Sequence, residues 1–250
     1  MFVVVASRHD KAAAALVTRW AANGASLMTC EDMSVAGWRH YLNATGGDGE
    51  ELSPHQSLHK QDSTAVVGGK VVAVEHITGV LNRLPFVVEQ EIFHIVPEDR
   101  AYVAMEMNAF LTSWLSHLKC PVLNRPTPSY LLGPCWRAEQ WIYTAAQLGI
   151  PVRPTRRQIG LAVNVLPQVL EKTAVAVTVV GDHTLGNVDP ILARHARHLA
   201  DAAKVDLLTV YFTTSEANAD FVYADLWTDI SAPDIADAIF EYLSGGVIKC

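Results

Sequence analysis

The chain has 250 residues, half of them apolar and 18% charged, which fits one large or two small packed domains and excludes a disordered chain. A formal charge of −7 excludes general nucleic-acid binding, whose affinity comes from Lys and Arg neutralising phosphates. No apolar run approaches the roughly 20 residues that cross a bilayer, and Cys30, Cys120, Cys135 and Cys250 lack the spacing of a disulfide framework or a zinc ribbon. The expected protein is soluble and cytoplasmic, with reduced thiols.

Phe2 to Ala6 reads as a first core strand rather than a signal peptide, because it lacks a basic flank. Ala13, Leu16, Val17 and Trp20 recur at helical spacing, Asn23-Gly24 ends the helix, and Ala25 to Thr29 forms the next strand. The intervening Ser7-Arg8-His9-Asp10 has no glycines to cradle a pyrophosphate, so a nucleotide site is not expected at this turn. Residues 43 to 63 are polar and aperiodic and read as a long surface loop, with His55 and His59 four apart inside it. Thr64 to Val67, Gly68-Gly69 and Lys70 to Val74 spell a hairpin, since a Gly-Gly turn supplies the positive φ angles it needs. Ile77 to Leu81 then returns toward the sheet and ends at Asn82-Arg83.

Pro97, Glu98 and Asp99 mark a helix start, and Val103, Met107, Phe110, Leu111, Trp114 and Leu118 make its apolar stripe. Pro121 to Asn124 is a short buried strand, which Arg125-Pro126-Thr127-Pro128 stops. A helix from about Trp136 turns Ala138, Trp141, Ile142, Ala145 and Leu148 inward, is capped by Gly149 and runs into an extended Ile150 to Arg153. Ile159 to Val163 and Ala174 to Val180 are candidate strands, and Val180 to Gly186 is a sharp turn. Asp189-Pro190 starts a helix with Leu192, Ala196, Leu199 and Ala203 on one face, and with His195 and His198 three apart. Leu207 to Phe212 and Phe221 to Trp227 read as antiparallel strands before a last helix, Ile235 to Leu243, that opens on a Ser231/Asp234 capping box.

From Gly79 onward the order of elements resembles the ATP-grasp ligases, especially the carboxylate-amine ligases that modify peptides. A strand ends in an Asn-Arg turn, a helix follows, then a Pro-Val-Leu-Asn strand, and then a helix running into Gly-Ile-Pro-Val. Val175 to His183, Ile191 to Lys204 and Asp206 to Ile230 are similar to that family's later strands and helix. The resemblance implies an α/β fold: a Rossmann-like, pre-ATP-grasp-like N-terminal domain over residues 1–120, followed by a shortened ATP-grasp-like α+β domain over 121–250.

The chain departs from the family where phosphate chemistry resides. Lys172 is the one lysine between Arg125 and Lys204, the lobe expected after Gly-Ile-Pro-Val is reduced to Thr155 through Lys172, and Ala224 to Asp229 replaces Glu-x-Asn-Pro. The resemblance therefore supports two readings. In the first, an active ligase uses ATP and Mg2+, with Arg83, Asn124, Arg125, Arg153, Arg156 and Arg157 as substrate or phosphate ligands and Asp182, Asp225 and Asp229 as metal ligands. In the second, favoured by the missing lysines, ligase activity is lost or reduced, no cofactor is needed, and the chain binds a peptide or partner protein or assembles as a homo-oligomer. A third reading is a metal-dependent enzyme using the histidines. No catalytic nucleophile is indicated, because no G-x-S-x-G elbow occurs.

Overall fold

The computed structural model describes residues 1–41, 63–153 and 174–245. The chain forms two compact units, Met1–Leu131 together with the chain from Leu243, and Leu132–Tyr242. The strand β6 (Val122–Leu123) completes the first unit's sheet. The expected loop at residues 43 to 63, the Ile159 to Val163 strand and Cys250 lie outside the described residues, Ser63 apart.

The first unit opens with β1 (Phe2–Val5), α1 (Lys11–Arg19) and β2 (Ala25–Met28). The hairpin β3 (Thr64–Val67) and β4 (Lys70–Ala73) forms a two-stranded sheet, with Gly68 and Gly69 at φ 58° and 74° as its turn requires. Buried Asp32 holds that turn in place: its carboxylate accepts from the Gly69 N–H at 2.7 Å and from the Thr29 N–H at 2.9 Å. The chain continues through β5 (Gly79–Asn82) and α2 (Arg100–His117) to β6. β1, β2, β5 and β6 make one parallel sheet in the order β2-β1-β5-β6. All four residues of β1 are buried, as continuous apolar strands of parallel sheets are.

The core of this unit joins Val3, Val5, Val80 and Val122 of the sheet to Met107, Leu111, Trp114 and Leu115 of α2. The stripe expected on α2 is therefore present, shifted so that Ala104 and Leu115 are fully inside while Val103 and Phe110 pack at its margin. Asn108, on the same helix, clamps the preceding segment: its side chain accepts from the Val87 N–H at 3.0 Å and donates to the Val87 carbonyl at 2.9 Å.

The two Asn-Arg turns lie at the ends of β5 and β6. Asn82 donates to the Leu131 carbonyl at 2.6 Å and accepts from the Leu84 N–H at 3.0 Å, fixing two loops at once. Arg83 is buried and its Nε donates to Asp10 Oδ2 at 2.7 Å. The other oxygen of Asp10 accepts from the Ala13 N–H at 2.9 Å, so the same carboxylate is the N-cap of α1. Arg125 reaches back to the end of α2, donating to the carbonyls of Leu115, Ser116, Leu118 and Cys120 at 3.1 to 3.3 Å. A cation there satisfies orphan carbonyls and meets the negative end of the helix dipole.

The second unit contains α3 (Ala138–Gln147), β7 (Val175–Val180), β8 (His183–Leu185), α4 (Pro190–Ala203), β9 (Leu207–Phe212), β10 (Phe221–Asp225) and, up to Tyr242, α5 (Pro233–Leu243). β7 to β10 form an antiparallel sheet in the order β10-β9-β7-β8, against which α3 and α4 pack. Leu192, Ala196, Leu199 and Ala203 of α4 are all buried, as their spacing predicts. Three local expectations are corrected. Of the residues expected inward on α3, Ala138 is exposed in its first position, and Leu148 is 37% exposed because it follows the last helical residue, Gln147, and leaves the helix's inward face. The strand expected to reach Trp227 ends at Asp225, whose side chain accepts from the Trp227 N–H at 2.8 Å and turns the chain. The sharp turn after β7 is itself a hairpin, with β8 on its far side.

Arg83→Met leaves Asp10 buried without its cation and should lower unfolding stability by roughly 3 kcal/mol, read by urea denaturation. Arg125→Ala should cost less, about 1–2 kcal/mol, because carbonyls at an open helix end can bond water instead.

Candidate functional site

Residue pairing across the second unit's sheet divides it into two chemically different faces. Val177 lies opposite Val210 and Val179 opposite Leu208, giving an apolar face. The alternate positions pair Ala176 with Tyr211 and Thr178 with Thr209, and from β10 they pair Tyr223 with Tyr211 and Asp225 with Thr209. These residues bring hydroxyls, phenols and a carboxylate together on one side of the sheet, with the threonines buried and Tyr211, Tyr223 and Asp225 half-buried, which makes it the candidate site.

The polar face is organised internally. Thr178 and Thr209, both 3% exposed, share a hydroxyl hydrogen bond of 3.1 Å, and Thr209 donates on to Thr228 at 3.2 Å. Beside them, the Tyr211 and Tyr223 rings stack with centroids 4.1 Å apart and planes 6° from parallel. Burial, then the hydrogen bond and charge of Tyr211, then the charge of Asp225, push the Tyr223 phenol above its usual range. It stays protonated at neutral pH and serves as a donor or acceptor rather than a base.

The residues expected to bind substrate or phosphate are dispersed and engaged. Arg83 faces Asp10, Arg125 caps α2, and Asn124 is buried at the end of β6. Arg153 pairs with Asp220 at 3.2 Å. Arg156 and Arg157 lie outside the described residues. Among the expected metal ligands, Asp182 in the β7–β8 turn is bound by Arg197, whose hydrogen bond and charge hold its carboxyl below the usual range. Arg197 also pairs with Asp201 at 3.2 Å. Asp225 caps the turn at Trp227, and Asp229 accepts from the Ser231 N–H at 2.9 Å and from its hydroxyl at 2.7 Å. Among the described residues, no three His, Cys, Asp or Glu side chains converge to hold a metal. The carboxylates described thus serve turns and ion pairs, so no reaction step through Mg2+ is derived from them.

His195 on α4 is half-buried with an unpartnered Nδ1, and burial, then His198 and Arg194, hold its pKa below the usual histidine value. His198 is exposed, and His55 and His59 lie outside the described residues. Burial, with Glu91 and Glu31 nearby, pushes the Cys30 thiol up to about 12, and burial raises Cys120 as well. Neither supplies a thiolate nucleophile at neutral pH. Trp38 packs edge-on against Phe110 and Trp114, whereas Trp227 is 40% exposed. Sequence reasoning missed the stacked tyrosines because their proximity depends on strand register; the alternation in Val-Tyr-Phe and Val-Tyr-Ala-Asp was the available signal.

No protein-family model matches the chain, and no curated protein does. Solved structures match over nearly its whole length. The macrocyclase MdnC from Microcystis aeruginosa MRC, solved bound with precursor peptide MdnA, aligns with TM-score 0.65 at 11% identity, over 98% of this chain and 100% of that one. A RiPP-associated ATP-grasp ligase from Chryseobacterium gregarium, solved in complex with ADP and a leader and core peptide, gives 0.61 at 13% identity over 98% and 97%. The ATP-grasp ligase PsnB, solved with a phosphomimetic variant of minimal precursor, Mg and ADP, gives 0.58 at 12% identity over 96% and 97%. Among the described residues, no helix is long and apolar enough to cross a membrane. On these alignments the chain has the fold of the ATP-grasp ligases.

Proposed function

We propose that this chain is a cytoplasmic, peptide- or partner-binding component of peptide or small-molecule modification, built on an ATP-grasp fold and with ligase activity lost or reduced. The observation that carries the proposal is the engagement of the cations. Arg83, Arg125 and Arg153 each meet a carboxylate or a row of carbonyls of the protein itself. Phosphoryl chemistry instead needs cations directed at the nucleotide, because the charge that develops in transfer must be neutralised. Stacked tyrosines beside a carboxylate suit aromatic packing and hydrogen bonding to a peptide better than they suit a triphosphate. That the similar structures MdnC, the Chryseobacterium ligase and PsnB were solved with precursor peptides supports the choice of a peptide as ligand.

The second reading is an active ATP- and Mg2+-dependent carboxylate-amine ligase. Asp225 favours it, standing at the end of β10 opposite Thr209 on the polar face. Metal-ion chemistry would there neutralise charge on the phosphates of an activated carboxylate.

A thermal-shift titration with ATP and Mg2+ separates the two. A ligand at one hundred times its Kd adds about 2.7 kcal/mol to stability, a change of several degrees in Tm. The binding reading expects no saturable shift at millimolar ATP with Mg2+, and expects a short peptide or stoichiometric partner to be retained when the protein is isolated from its native host. A saturable shift that Asp225→Asn removes would establish the ligase reading instead.

A further inference from the structure

Two histidines far apart in the sequence meet beside the last turns of α2. Trp38 anchors the segment before His40, its ring lying 5.1 Å from Phe110 and 5.4 Å from Trp114, both edge-on. Its indole N–H donates to the Asp32 carbonyl at 2.8 Å, which fixes its orientation. The His40 ring consequently lies edge-on to Phe110 at 6.0 Å, and its Nε2 is 3.2 Å from the Ser113 hydroxyl. His117, one helical turn beyond Ser113, presents its ring 5.7 Å from that of His40.

The hydrogen bonding sets the chemistry of His117. Its Nδ1 is 2.7 Å from the Ser113 carbonyl, and a carbonyl only accepts, so Nδ1 carries the hydrogen. In the neutral ring the lone pair is therefore on Nε2, at an exposed position. A backbone carbonyl that fixes the tautomer and direction of an imidazole is the usual support of a metal-ligating histidine.

The spacing fits a shared ion. A transition-metal–imidazole bond of about 2.0–2.1 Å puts each ring centroid roughly 3.2 Å from the metal, so two rings at a near-tetrahedral angle are about 5 Å apart. The observed 5.7 Å is reached by opening that angle modestly. We propose that His40 and His117 form a two-nitrogen site for a divalent first-row transition cation of the Zn2+ class, with water filling the remaining positions. The site is independent of the peptide-binding reading and of His195 and His198.

Calorimetric titration of the intact protein with ZnCl2, run beside His40→Gln and His117→Gln, tests this. Because the chain has ten histidines, the informative quantity is the difference between isotherms. Wild type should show a saturable site that either substitution weakens by about tenfold or more. His117 is exposed, so its variant reports on binding without disturbing the core. Absence of saturable Zn2+ binding, or full retention of the wild-type isotherm in His117→Gln, would overturn the proposal.

Discussion

The first unit depends on one carboxylate. Asp10 caps α1 with one oxygen and neutralises the buried guanidinium of Arg83 with the other. A guanidinium at 6% side-chain exposure is tolerable only with such a partner, since an unpaired buried charge costs several kcal/mol. The pair lies where the sheet order reverses: from β1 the chain proceeds through α1 to neighbouring β2, and from β5, on the other side of β1, through α2 to β6. In open α/β sheets this crevice, with its helix N-terminus, is where anionic ligands bind. Here the protein's own carboxylate holds that position, so the field that would attract a phosphate is already satisfied.

The same logic runs through other polar residues of the first unit. Asn82, Asn108, Asp32 and Arg125 each hold backbone groups of segments outside the regular ladders. Loops around a parallel sheet leave N–H and C=O groups that must find partners, and side-chain amides, carboxylates and guanidinium groups are the available ones. An Asn-Arg pair at the end of a strand is therefore ambiguous in sequence. The groups that would grip a ligand are the same groups that hold a turn, and distance alone separates the two uses.

Features that depend on neighbours in sequence were legible without coordinates. The Gly68-Gly69 hairpin, the buried face of α4 and the apolar stripe of α2 follow from local φ requirements or from helical spacing, and each is present. The order of these elements also sufficed for the resemblance to the ATP-grasp ligases, because order is a property of the sequence. What escaped was set by pairing across distance. The N-cap role of Asp10 was readable in principle from an acid before a helical stripe, but its second role required β5 to lie beside β1. β8 was too short to announce itself, and the meeting of His40 with His117 depends on Trp38 folding onto α2.

The two-faced sheet of the second unit has a consequence for the choice between chemistry and binding. The sheet buries Val177, Val179, Leu208 and Val210 on one side and Thr178, Val180, Leu207 and Thr209 on the other, so only the end of that second side at Tyr211, Tyr223 and Asp225 is partly open to a ligand. None of the three partly open residues is cationic. Asp225 would repel a phosphate unless a metal lay between them, whereas the stacked rings and their phenol hydroxyls need no counterion to engage a peptide. On this face, then, polar recognition requires only what the chain already contains, and phosphoryl chemistry requires an ion to reverse the sign of its field.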